Sequence, residues 1–288
     1  MKFTVLISSL LAAALLVVGC GDESKSSAQA SAETQKVIKV GVCPGPYGDM
    51  VAKVIAPLVS KKGFEIEVIT FSDYVQPNLA VDSGDIQANL FQHRAYFDNF
   101  IASQKINLKA VINVPTLGMG VFSQSVKSYD QLTPGSKVAL PNDPVNLGRA
   151  LELAQEAGLI ELDSPSDDNK VSLANITSNP YGLEFVPMDA AQITRSLDSI
   201  SLGFVPGNYA FAAKLDFATA LSVENVKEPI KNVVAVKAED QAYYDLFYSV
   251  IHSQQFKDAI SADATYDQFT RPAWWDEVGK EANSQKAE

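Results

Sequence analysis

The sequence predicts an α/β protein of two lobes, with a ligand site in the cleft between them. Three observations carry this. Short β-rich runs alternate with helical runs at a spacing that suits a mostly parallel sheet with helices on both faces. The alternation restarts near residue 136, so the chain holds two such units in succession. Of its 288 residues 47% are hydrophobic and 20% charged, enough apolar material for a sizeable core. Ligands of open α/β sheets bind outside the carboxyl ends of the strands. With two units, that place is the cleft between them.

The elements follow in order. "VIKVGV" (37–42) is short and β-branched, a strand. "DMVAKVIAPLVSKKG" is a helix ending at Gly63, with a kink at Pro57. "FEIEVITF" (64–71) alternates apolar and charged residues, the signature of a strand. "VQPNLAVDSG" reads as helix, "DIQANLF" as strand and "RAYFDNFIASQK" as helix, and "LKAVINVP" and "MGVFSQSV" are β-rich. The second unit begins with "SKVALP", a strand, and "PVNLGRALELAQEAGL", a helix. "LEFVPM", "AQITRSLDS", "SLGFVP" and "NYAFAAKL" then alternate strand and helix. A strand "IKNVVAVK" (230–237) leads into one long helix, "AYYDLFYSVIHSQQFKDAI", with Tyr243, Leu246, Phe247, Val250 and Ile251 on its apolar face.

Ahead of these elements stands a different kind of segment. "MKFTVLISSLLAAALLVVGC" has an early Lys2, an apolar run from Phe3 to Val18 and a small residue before Cys20. That is the pattern of a secretory signal (1–19), and the run is short for a membrane span, which needs roughly 20 residues. "GDESKSSAQASAETQK" is small and polar, so residues 20–36 read as a tether. The chain has two cysteines. With Cys20 at the cut site, Cys43 has no partner and reads as a small buried core residue.

Composition and motifs narrow the function. Net charge is −11, with 34 acidic against 23 basic residues and no basic stripe, which argues against a nucleic-acid partner. No G-x-S-x-G, H-E-x-x-H, C-x-x-C, Walker or G-x-G-x-x-G motif is present, so no cofactor is expected. With His93 and His252 as its two histidines, the chain cannot build a three-histidine metal site. His252 falls off the apolar face of its helix and reads as a solvated residue. Asp167–Asp168, in a Ser/Pro-rich stretch, reads as a solvated turn.

Two clusters remain. In "PNDPVNLGRAL", Asn142 or Asp143 can cap a helix whose first turn suits Pro144. Asn146 and Arg149, three apart, then share a face near the helix N-terminus, where backbone amides favour an anion. A guanidinium adds a planar fork that matches a carboxylate. A surface Arg149 pairing with Glu152 or Glu156 is the alternative. The second cluster, "FSDYVQPNLAVDSGDIQANLFQHRAYFDNF" (71–100), is rich in rings: Phe71, Tyr74, Phe91, Tyr96, Phe97 and Phe100. Phe91 and His93 alternate at the end of a strand and so point to one side. Phe97 and Phe100 read as core; the others suit a box for an apolar or thioether side chain.

"VVGC" with its polar tether, "FSDYVQPN", "GDIQANLFQH", "VALPNDPVNLGRAL", "RSLD", "NYA" and "NVVAV" occur in this order. Together they resemble the methionine-binding lipoprotein (MetQ/NlpA) family of ABC importers, over nearly the whole chain. The resemblance implies a two-lobed periplasmic-binding-protein-like fold (type II), with lobe 1 formed by 37–116 plus 230–288 and lobe 2 by 117–229. It implies lipidation of Cys20, a membrane-anchored location facing the periplasm or the extracellular side, and an ABC permease and ATPase complex as partner. It implies no enzymatic activity and a small amino acid as ligand, L-methionine or a close relative. A Met-containing dipeptide, another amino acid or a small sulfur compound is the alternative, and a hydrolase using His93 is a more distant one. By the same resemblance Phe71, Tyr74, Phe91 and His93, with Tyr96 beside them, surround the ligand side chain. Asn146 and Arg149 bind the amino-acid backbone, with Arg149 on the carboxylate, and Asn232 adds a polar contact. One position departs: "FVPGNYA" puts Pro206 where the family often carries Asn, and Asn208 is the candidate to replace that contact.

Overall fold

The computed structural model describes residues 36–163 and 171–279. The signal, Cys20, most of the tether and Asp167–Asp168 lie outside the described residues. Strand β1 (Lys36–Val42) leads into a continuous helical stretch made of α1 (Pro46–Asp49), a π-helical segment (Met50–Ile55) and α2 (Ala56–Ser60). Pro57 supplies no N–H and its ring crowds the preceding turn. The wider π turns just before it are how the backbone takes up that misfit. β2 (Phe64–Thr70), α3 (Gln76–Ser83), β3 (Ala88–His93), α4 (Arg94–Gln104) and β4 (Leu108–Asn113) complete the first run.

The second run holds β5 (Gly120–Phe122), β6 (Lys137–Pro141), α5 (Pro144–Glu156), a small ribbon of β7 (Glu161–Leu162) and β8 (Ile176–Ser178), β9 (Glu184–Met188), α6 (Ala190–Ser196), β10 (Leu202–Val205), α7 (Gly207–Ala212) and β11 (Ser222–Val223). β12 (Asn232–Lys237), α8 (Gln241–Ile251) and α9 (Gln254–Ser261) close the chain. The ribbon and β11 are too short to leave a periodic signal in the sequence. The single long helix expected at the end is instead two. Ser253 breaks it: its hydroxyl accepts from Phe256 N at 3.2 Å, capping α9, and donates to Val250 O at 2.6 Å. His252, at that break, is half-buried, stacks on Tyr248 and lies tilted against Trp274, both with centroids 5.2 Å away, and is not a solvated residue.

The strands form two five-stranded sheets, ordered β2-β1-β3-β12-β4 and β11-β5-β10-β6-β9. The two orders match. In the first, β1 pairs parallel with β2 and β3; in the second, β6 pairs parallel with β9 and β10. Beyond the third strand each sheet takes an antiparallel one, β12 or β5. In each case it is the first strand after the chain crosses from the other sheet. Each sheet has its own core: Ile38, Val40, Leu90 and Val234 with Phe247 and Ile251 in one, Val138, Leu140, Leu151 and Phe204 in the other. The two crossings are tied together where they pass. Val114 N donates to Asn232 O at 2.7 Å, and Asn232 N donates to Thr116 Oγ1 at 2.7 Å.

Cys43 is buried, its thiol set against Asp73 O at 3.1 Å, and burial pushes its pKa up. Trp274 donates its indole N–H to Asn113 O at 2.8 Å and packs with Phe256 on the core, holding the C-terminal segment to the first sheet.

Candidate functional site

A narrow cavity of about 30 Å³ lies where the two sheets face one another. One wall comes from the first sheet and the helices after its strands, the other from the N-termini of α5 and α7. Thr116 and Asn232, on the crossing segments, form the back.

The α5 wall is fixed by its cap. Asp143 stands at the N-cap in extended conformation and accepts from Asn146 N at 2.9 Å, with Pro144 in the first turn. The same carboxylate takes Asn146 Nδ2 at 3.1 and 3.2 Å, which sets the amide's orientation. Asn146 Oδ1 then accepts from Arg149 Nη1 at 3.2 Å and from His93 Nε2 at 3.0 Å. Both lone pairs of that oxygen are thus used, and what Asn146 still offers the cavity is an N–H.

Arg149 is buried and pairs at two points with Glu224, Nε with Oε1 and Nη2 with Oε2. Met119 N adds a third contact to that carboxylate, at 3.0 Å on Oε2. Burial works to raise the Glu224 carboxyl, but Arg149's charge and hydrogen bonds outweigh it and hold it below its ordinary value. A guanidinium has five N–H donors. With three engaged, one remains on each Nη. Arg149 and Asn146 therefore present N–H donors alone, which is a grip for an anion.

His93 ends β3 and caps α4, its Nδ1 accepting from Tyr96 N at 3.1 Å. That bond assigns the ring proton to Nε2, which donates to Asn146. Burial, reinforced by the Arg149 charge, pulls the His93 pKa down to about 3. The ring is neutral at physiological pH. A general base needs a pKa near the working pH, so His93 does not suit the hydrolase alternative.

Tyr74, Phe91 and Tyr96 form three mutually close rings with centroids 5.8 to 6.4 Å apart, and Tyr209 adds a fourth 5.2 Å from Tyr74. A buried amide network lies under them. Asn78 donates to Gln92 Oε1 at 2.8 Å and accepts from Gln92 at 2.6 Å and from Asn89 at 2.9 Å, which locks α3 onto β3. Asn232 is buried, faces the cavity, and its side-chain amide has no hydrogen-bond partner among the described residues.

Two expected residues behave differently. Phe71 does not line the cavity. It follows the edge strand β2, its N–H donating to Val42 O at 2.8 Å, and its ring lies over Gly41 among Ile69, Val81 and Ile86. β1 stands between it and β3, so the sheet order puts it outside. Asn208 lines the cavity and carries a second role besides. Its Oδ1 accepts from Tyr74 OH at 2.6 Å and its Nδ2 donates to Pro44 O at 3.0 Å. Both partners lie on the other side of the cleft, so Asn208 joins the two walls. The surface pairing of Arg149 with Glu152 or Glu156 is replaced by the buried pair with Glu224.

Sequence reasoning missed Tyr47, Gln92, Thr116, Leu117, Gly207 and Glu224. Gln92 lies inside the "FQH" motif and Tyr47 in a Pro/Gly-rich turn after the first strand, which are usable signals. Glu224 is 75 residues from Arg149 in an unremarkable run, and no spacing rule finds it. Among the described residues no group of three or more His, Cys, Asp or Glu is placed to hold a metal, and no helix is long and apolar enough to cross a membrane.

Two matched α/β sheets, two crossings and a polar–aromatic cavity between them define a two-lobed periplasmic-type substrate-binding fold. Solved structures agree: a nutrient-binding protein of Burkholderia cenocepacia bound to methionine superposes with a TM-score of 0.75 at 34% identity, over 81% of this chain and 99% of that one. The NlpA lipoprotein family model matches residues 38–274, and the chain belongs to that family. The D-methionine-binding lipoprotein MetQ of Yersinia pestis is 34% identical over 263 residues, 90% of this chain and 91% of that protein. The protein of that name from Escherichia coli K12 is 33% identical over 261 residues, 89% of this chain and 90% of its own length.

Proposed function

We propose that this protein is a lipid-anchored substrate-binding protein that takes methionine into the cleft and delivers it to an ABC permease and ATPase complex. In this reading lobe 1 (37–116 plus 230–288) and lobe 2 (117–229) close on the ligand by bending at the crossings. Cys20 carries the lipid, which holds the body on the export side of a bacterial membrane. Methionine is the ligand named for the Burkholderia structure and for the MetQ relatives.

The observation that carries the reading is the order of contacts along the cavity. Arg149 bonds Asn146, Asn146 bonds His93, and His93 leads to the rings of Tyr96, Phe91 and Tyr74. The free N–H donors of Arg149 and Asn146 suit an α-carboxylate, the Asn232 carbonyl suits an ammonium, and the rings suit a thioether. Mass spectrometry of small molecules released from the purified, denatured protein tests this. It is paired with calorimetry against L- and D-methionine, other amino acids and Met-containing dipeptides. Methionine is expected in the released material, with saturable binding. Saturable binding of a different class and none of methionine would overturn the ligand assignment. Cys20→Ala should abolish metabolic palmitate labelling.

A further inference from the structure

We propose that Glu224 sets the charge selectivity of the site: by neutralising Arg149 it fits the cleft to a zwitterion of no net charge and disfavours a net anion. This rests on the amino-acid-binding reading above and extends it to a residue that the sequence patterns do not mark.

The geometry supports it in three ways. Glu224 meets Arg149 at two points, with the two side chains only 10% and 8% exposed, so neither charge is screened by bulk water. Glu224 is itself held by Met119 N at the start of the second sheet, so its position does not depend on a ligand. Apart from the tyrosines, the ionisable side chains lining the cavity among the described residues are Arg149 and His93, and the His93 ring is kept neutral by the amide on its Nδ1. Asp143 stands behind Asn146 as the cap of α5, where its charge opposes the helix N-terminus. Glu152, Glu156 and Lys227 lie with Glu224 on the outer side of Arg149, away from the rings.

The consequence is electrostatic. A bare buried guanidinium would attract any carboxylate strongly, whatever else the ligand carried. A guanidinium shared with Glu224 still offers two directed N–H groups, so it orients a carboxylate, but it no longer supplies an unbalanced charge. A ligand carboxylate then gains most when it brings its own compensating ammonium.

The test compares three ligands on wild type and Glu224→Gln by calorimetry at pH 7: methionine, methionine lacking its amino group (a net anion) and methionine amide (a net cation). Wild type is expected to prefer methionine over both. Glu224→Gln is expected to shift the anion-to-methionine affinity ratio toward the anion by about tenfold or more and to weaken the cation further. A role confined to holding Arg149 in place would lower all three affinities together and leave the ratios unchanged, which would overturn the proposal. Should the variant not fold, the wild-type series still decides: equal affinity for methionine and its deaminated anion overturns the proposal. Wild type binding none of the three would remove the amino-acid reading itself, and this proposal with it.

Discussion

His93 and Asn146, 53 residues apart, meet at 3.0 Å across the cleft, and the proton between them belongs to His93. Burial first, and then the Arg149 charge, oppose a second proton on the ring, and the Tyr96 amide already occupies Nδ1. In the unfolded chain the same imidazole titrates near 6.5, against about 3 in the fold. The unfolded state therefore binds more protons between those values. The His93 contribution to stability is complete above about pH 6.5 and is lost as pH falls toward 3, at about 1.4 kcal/mol per pH unit. Melting temperatures measured from pH 7 to 4.5 should fall more steeply for wild type than for His93→Asn, which keeps an acceptor for the Tyr96 amide. Parallel slopes would show that His93 is not the titrating group.

Arg149→Ala should abolish measurable methionine binding, a loss on the order of 2–5 kcal/mol. It should also lower the urea midpoint, because Glu224 is then left buried without its partner, a penalty of about 3–5 kcal/mol. Replacing both residues by Ala should recover part of that stability while binding stays absent. Urea melts and calorimetry on the three proteins separate the two effects; a double variant no more stable than the single one would contradict the buried-charge argument.

Asn208 joins the two walls through Tyr74 and Pro44, so its contacts form only when the lobes are together. Tyr74→Phe and Asn208→Ala should each weaken binding by about 0.5–1.5 kcal/mol, mostly as faster ligand release. Because they remove one shared bond, the double variant should lose less than the sum. Strict additivity in stopped-flow release rates would argue against the bridge.

Gly45 has φ +139, and a Cβ there would come within 2.7 Å of Asn208 Cβ. Gly84 also has positive φ (+87), but nothing lies within 4 Å of a Cβ built on it. Gly45→Ala and Gly84→Ala should both lower stability through backbone strain, by about 1 kcal/mol or more. Only Gly45→Ala should also cut ligand affinity, because the methyl group keeps the walls apart. Equal affinities for the two variants would show that the cleft tolerates the added atom.

Much of the fold was legible because its signals are local. β-branched runs, the Asp143–Pro144 start of α5 and the 3.6-residue stripe of α8 each depend on residues within one element. The pairing of Asn146 with Arg149 was legible for the same reason, since they sit one turn apart on a single helix. The break at Ser253 was missed because a serine inside a periodic run can point outward or cap a new helix, and the packing of Trp274 and Phe256 decides which.

By itself the sequence determined an α/β chain of two units, a capped helix start that carries Asn146 and Arg149 on one face, and a ring-rich segment ahead of it. The tertiary structure decided what those parts face. Sheet order placed β3 and β12 at the cleft and β2 at the edge, which admits Phe91 and His93 and leaves Phe71 outside. Lobe contact turned Asn208 into a bridge, and the second sheet brought Glu224 to Arg149. Local periodicity fixes which side of an element a residue occupies. Which element that side meets depends on strand order and long-range burial, and no short window of sequence contains either.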